Sequence, residues 1–264
     1  MDHDTRYENA RRFIPPRRRV LDYGCGSGDF LQYVAADIVE GVGVDLDRDR
    51  IAQAARQNKH PHIRYLCADA RSNLPFPANY FDVITALGVL EHVGPEQLYL
   101  DEFFRVLRPG GHVVIDVPSK GPFRWMDVGN IKYNFPRLHR WFYLHVVRDP
   151  NHYRRHFSGD AKMFGQFSKE AEEHKHYGNK DIKDLLGSRF KVVDQFNYGL
   201  FYELIQFNEV LVTKLLHFKG RRLFSALIEL DCRIPSFLAR ANLVVHALRA
   251  GEGGMALDVG KGVQ

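Results

Sequence analysis

Residues Arg19-Val20-Leu21-Asp22-Tyr23-Gly24-Cys25-Gly26-Ser27-Gly28-Asp29-Phe30 restrict the fold of this chain more than any other stretch. A short apolar run ends on Asp22, glycines follow at alternate positions, and an apolar helical pattern begins at Phe30. The pattern predicts a strand that ends in a tight turn and feeds a helix. Glycine permits backbone conformations that a Cβ blocks, and it lets a ligand lie against bare main chain. A dinucleotide fingerprint, G-x-G-x-x-G, needs its third glycine at position 29. The chain has Asp29 there, a poor neighbour for a pyrophosphate. The order Asp-x-Gly-x-Gly-x-Gly suits instead a ligand that carries a cation and an amino-acid group.

Further blocks follow in order. Gly41-Val42-Gly43-Val44-Asp45-Leu46-Asp47 reads as a second strand ending in an acid, and Tyr65-Leu66-Cys67-Ala68-Asp69-Ala70 as a third strand and loop. Phe81 to Leu87, followed by Val89-Leu90-Glu91-His92-Val93, reads as a fourth. Leu107-Arg108-Pro109-Gly110-Gly111-His112-Val113-Val114-Ile115 reads as a turn into a fifth. Together these blocks, reaching to Pro118, resemble class I S-adenosylmethionine-dependent methyltransferases. The resemblance implies S-adenosyl-L-methionine as cofactor. It also implies an α/β fold: a doubly wound, mostly parallel seven-stranded sheet with helices on both faces. It places Gly24, Gly26 and Gly28 in the donor-binding turn, with Asp22 orienting that turn and the donor's amino group. Asp45 would accept the ribose hydroxyls and Leu46 would pack on the adenine. Asp69 and the main-chain N–H of Ala70 would read the adenine edge. Ala86 and Leu87 would border the donor at the end of the fourth strand.

Strands alternate with helical patterns up to Pro118, which by itself predicts a mainly parallel sheet. Residues 1–250 are expected to form one methyltransferase domain with two insertions. From about 119 to 172 the alternation gives way to aromatics, arginines and histidines, read as a lid over the strand ends. Pro136 suits the first position of a short helix within it. Phe190 to Phe196 and Asn242 to Leu248 read as the last two strands, the latter antiparallel as the family pattern has it. Between them, about 200–240, two helical periods predict a hairpin, the second marked by Leu223, Phe224, Leu227 and Ile228. The glycine-rich 251–264 is expected to be disordered.

Composition narrows the partners less. Net charge is +5 with a sequence pI near 9.0, a slight bias toward anionic partners. Cys25, Cys67 and Cys232 fit neither a disulfide framework nor a zinc spacing. With a charged rather than signal-like start, this suggests a cytoplasmic protein.

Methyl transfer is an in-line displacement that mainly needs alignment. A hydroxyl acceptor also needs a base, for which a histidine of near-neutral pKa is suited. His92, just after the fourth strand, can touch substrate or simply cap the next helix. His174 and His176 alternate on an extended segment, so one of them faces the cleft; His176, beside Tyr177, is the candidate. His152 and His156 lack an acidic partner for metal ligation, and Arg154 and Arg155 read as solvated rather than phosphate-binding. The expected function is O-methylation of a small-molecule, sugar or lipid-linked glycan acceptor. The alternatives are an RNA methyltransferase or a non-catalytic donor-binding partner subunit. The hairpin, with Lys219, Arg221 and Arg222, suits a peripheral membrane contact, a homodimer interface or a cover for the sheet edge, with burial the expectation for Leu211, Leu215 and Phe218.

Overall fold

A computed structural model describes residues 5–69, 73–123, 135–147, 175–201, 204–205, 221–234, 238–239 and 241–251. Ala70, His152, Arg154, Arg155, His156, His174, most of the lid and the first arm of the hairpin lie outside them.

The sheet contains β1 (Arg19–Tyr23), β2 (Glu40–Asp45), β3 (Ile63–Cys67), β4 (Phe81–Leu87), β5 (Leu107–Pro118), β6 (Phe190–Tyr198) and β7 (Asn242–Arg249). Their spatial order is β3-β2-β1-β4-β5-β7-β6. The first five strands run parallel, and β7 enters antiparallel between β5 and β6. The helices are α1 (Thr5–Arg11), α2 (Asp29–Tyr33), α3 (Arg48–Gln57), α4 (Glu96–Val106), α5 (Pro136–Trp141), α6 (Asn179–Leu186) and α7 (Arg221–Asp231). Pro136 opens α5, as its fixed φ favours, and a π-helical segment, Phe142–Val147, continues it.

Strands of a parallel sheet are covered on both faces, so they are apolar on both. Leu21, Val44, Ile84 and Ile115 pack in one core with Leu100 and Phe103 of α4 and with Ile182 and Leu186 of α6. Val20, Val83 and Val114 point the other way, onto Ala10 of α1 and onto Phe30 and Leu31 of α2. By the same alternation Asp22, Thr85 and Asp116 face the α1–α2 side. β1 is flanked by β2 on one side and β4 on the other. The chain reverses its direction of strand addition there, and in such sheets that crevice receives the ligand.

Two local details differ from the expected pattern. Arg108-Pro109-Gly110 does not separate α4 from β5 as a free turn. Strand pairing with β4 starts at Leu107, lapses, and resumes at His112, with Gly110 at φ 70°. In α7, Phe224 is buried, whereas Leu223, Leu227 and Leu230 are exposed. The second helical period therefore does not map onto one buried face.

Candidate functional site

Gly24, Gly26 and Gly28 all have positive φ, at 75°, 53° and 83°. They bend the chain from the end of β1 into α2. A Cβ on Gly28 would lie 2.5 Å from the ring of Tyr65, whose hydroxyl donates to the Gly28 carbonyl at 3.2 Å. Gly28 thus shapes the turn from beneath an aromatic ring. Gly26 differs: a Cβ there would meet only the Arg50 guanidinium, at 3.7 Å. Its bare face opens onto a cleft of about 330 Å³ lined by Gly24, Gly26, Leu87, Gly88 and His92 among others.

Two carboxylates stand behind this turn. Asp45, at the end of β2, accepts the Gly26 N–H at 2.9 Å through one oxygen and the Asp47 N–H at 2.9 Å through the other. It joins the glycine turn to the entry of α3, where Asp47 in turn accepts from Asp49 and Arg50. Asp22 is only 3% exposed and accepts the Thr85 hydroxyl at 2.7 Å. Burial pushes its pKa up to about 7; Thr85 opposes the shift and the charge of Asp45 adds to it. Burial, with the fields of Asp22 and Asp45, also drives the Cys25 thiol far above its ordinary range, so Cys25 is a packing group and no thiolate.

The cleft is also lined by residues outside the sequence motifs, Arg6 and Tyr7 of α1 and Gln53 among them, alongside Ser27, Asp29 and Arg50. Tyr7 sits at ring-centroid distances of 5.4 Å from Phe30 and 6.0 Å from Tyr33. Arg6 reaches Asp116 on β5 at 3.3 Å, and Asp116 also accepts the Tyr198 hydroxyl at 2.6 Å. These links hold α1 across the strand ends. The position of α1 over the cleft thus depends on Phe30 and Tyr33 of the next helix and on Asp116 far along the chain.

The remaining candidates fall as follows. Leu87 lines the cleft, while Ala86 is wholly buried in the core beneath it. Leu46 and Asp69 are half-buried near the end of β2 and just after β3. His92 lines the cleft from a 3-10 turn, Leu90–His92. His176 is half-buried and is not among the cleft-lining residues. It alternates with Tyr177, whose side chain is in the core and whose hydroxyl lies 2.9 Å from the Leu90 carbonyl and 3.0 Å from Glu96. Lys175 bonds Glu96 at 2.7 Å and its N–H donates to the Glu91 carbonyl at 3.3 Å. The 175–177 segment therefore braces the turn that carries His92.

Residues 21–115 match the family model described as "Methyltransferase domain". Among curated relatives, a demethylmenaquinone methyltransferase of Beutenbergia cavernae is 34% identical over 111 residues, 41% of this chain and 45% of that protein. A ubiquinone biosynthesis O-methyltransferase of Psychrobacter cryohalolentis is 29% identical over 109 residues, 40% of this chain and 42% of that protein. The chain thus matches less than half the length of either relative. A solved S-adenosylmethionine-dependent methyltransferase from Mesorhizobium loti superposes with a TM-score of 0.56 at 18% identity, covering 94% of this chain and 99% of that one; this likeness speaks for the fold.

Proposed function

We propose that this chain, which carries a class I S-adenosylmethionine-dependent methyltransferase domain, methylates an oxygen of a small acceptor, whether a simple small molecule, a sugar or a lipid-linked glycan. The observation that carries the reading is the bare face of Gly26, with the buried Asp22 and Asp45 behind it and His92 on the rim of the same cleft. The residues fit the cofactor. A cationic amino group suits a carboxylate held near neutrality by burial, and the missing Cβ leaves room beside the main chain. Bound there, S-adenosylmethionine supplies a methyl group already activated by its sulfonium. Asp22, Gly24, Gly26 and Gly28 would hold its methionine part, Asp45 its ribose, and Leu46, Asp69 and Ala70 its adenine, with Ala86 and Leu87 forming the floor and wall at the end of β4. The chain's own work is then alignment, exclusion of water by α1, and removal of the acceptor's proton.

His92 and His176 are the candidate bases. The cleft position of His92 favours it for direct contact, and the bracing of its turn by the 175–177 segment links the two. The names of both relatives refer to quinone-pathway compounds, which supports a small ring-bearing acceptor over RNA, and that of the second names an O-methyltransferase.

Calorimetry is expected to show binding of S-adenosylmethionine and S-adenosylhomocysteine and none of nicotinamide dinucleotides. The opposite pattern would overturn the reading. With quinols and glycosides as test acceptors, His92→Ala and His176→Ala should each lower S-adenosylhomocysteine release, by about 10²–10⁴ for the one that acts as base. Donor affinity should stay within about twofold in both. Full turnover in both variants would remove histidine base catalysis from the mechanism.

A further inference from the structure

Two helix faces outside the cleft are turned the wrong way for a soluble domain. On α7, Leu223, Leu227 and Leu230 fall at i, i+4 and i+7, a single stripe, and all are exposed, Leu230 by 63%. Ala226 lies exposed within that stripe. The helix is fixed in this orientation from its other side. Phe224 is buried, and the Asp231 carboxylate accepts the main-chain N–H groups of Leu200 at 3.0 Å and Phe201 at 2.9 Å. On α5, Leu138 and Trp141 are exposed, together with Phe135 just before the helix, Trp141 by 53%.

The sequence around both helices is predominantly basic. Arg137 and Arg140 are exposed on α5, and no acid occurs from Phe135 to Val147. Between Glu209 and Glu229 the sequence carries Lys214, Lys219, Arg221 and Arg222 and no acid. The charges at the far end of α7, Glu229 and Arg233, pair at 3.2 Å and offset each other. Leucines and an interfacial tryptophan beside long basic side chains are the composition of a helix lying in a lipid headgroup layer. An isologous contact between two copies through α5 would set Arg137 and Arg140 against their own kind. Among the described residues no helix is long and apolar enough to cross a membrane, so such a contact would be peripheral.

We infer that the exposed faces of α5 and α7 dock this protein onto an anionic lipid bilayer. The docking stands on these faces alone. Its purpose, delivery of the donor cleft to an acceptor that partitions into lipid, rests on the methyltransferase reading.

The test is cosedimentation with vesicles of mixed phosphatidylglycerol and phosphatidylcholine, against vesicles of phosphatidylcholine alone. Binding is expected to the anionic vesicles and to fall about tenfold or more at roughly 0.5 M salt. Leu227→Asp and Leu138→Asp should each reduce it about tenfold or more, while circular dichroism and calorimetric S-adenosylmethionine affinity stay at wild-type values. In a Trp125→Phe background, the remaining tryptophan emission, from Trp141, should shift to the blue on adding anionic vesicles. The inference is overturned by absence of vesicle binding, by binding that either aspartate variant leaves intact, or by a dimer that Leu227→Asp dissolves. Loss of donor binding in the wild-type protein would instead sink the methyltransferase reading and leave the docking result standing.

Discussion

Gly28→Val is expected to lose about 3–5 kcal/mol of unfolding free energy and all measurable donor binding. Two costs combine. The backbone holds φ 83°, where a Cβ crowds the following carbonyl and a β-branched side chain fares worst. The new Cβ would also sit 2.5 Å from the Tyr65 ring. Tyr65 cannot simply withdraw, because a Cβ at Gly43 on β2 would also lie 2.5 Å from it, so the ring is already wedged between two main-chain segments. Gly26→Ala supplies the contrast. It keeps only the backbone cost, about 1–2 kcal/mol, since nothing but the tip of Arg50 lies near. Urea midpoints and calorimetric titration of both variants check this. Equal stability losses would show that packing against Tyr65 is not what demands glycine at position 28.

Donor affinity is expected to rise from pH 5.5 to 7.5, with proton release on binding, and Asp22→Asn is expected to flatten both. Asp22 has its pKa pushed up to about 7, against about 3.9 for a free carboxyl. In the unliganded fold it therefore keeps a proton over a range where the unfolded chain has lost it. That contribution to stability is complete at low pH and is lost as the pH rises toward 7, by a few kcal/mol at most. A cationic amino group favours the ionised form and draws the pKa back down. Binding near pH 7 then expels part of a proton, and weakens as acid refills the site. Titrations in two buffers of different ionisation enthalpy, kept below the titration range of the donor's own α-amine, measure the release. Pro-rata weakening in wild type and Asp22→Asn would assign the pH dependence to another group. The same asparagine should make the unliganded protein more stable above pH 7, by removing a buried charge while keeping a partner for Thr85.

The glycine-turn side of the candidate site was legible because its determinants are local. A glycine that must bend the chain, and an acid that closes a strand, are fixed by their immediate neighbours, so Asp22, Gly26 and Asp45 stood out from spacing and type. The seven-stranded sheet and its antiparallel β7 were anticipated from the family resemblance rather than from periodicity. The α1 lining of the cleft was not legible. Arg6 and Tyr7 belong to a short helix whose partners are Asp116, Phe30 and Tyr33, and no local pattern says which surface such a helix will cover. The same holds for the 175–177 segment: alternation separates His176 from Tyr177, but only the packing of Tyr177 against Leu90 and Glu96 decides which of them enters the core. In α7, the period gave the helix and left its rotation to the anchor at Asp231.

The placement of β7 between β5 and β6 sets the order of events as this chain leaves the ribosome. β5 acquires its inner neighbour, β4, from the residues just before it, but its outer neighbour pairs Pro118 with Asn242 and His112 with Leu248. Through more than a hundred residues of synthesis the outer edge of β5 has no strand beside it, and a bare strand edge is a template for association between nascent chains. The closing strand also carries a clasp. Arg249 bonds the Leu107 carbonyl and the Asn79 side chain, and its guanidinium stands 4.1 Å over the ring of Phe104. Translation that stalls before Asn242 therefore yields five parallel strands with an open flank, a species for chaperones to hold, and the arrival of the final strand closes that flank.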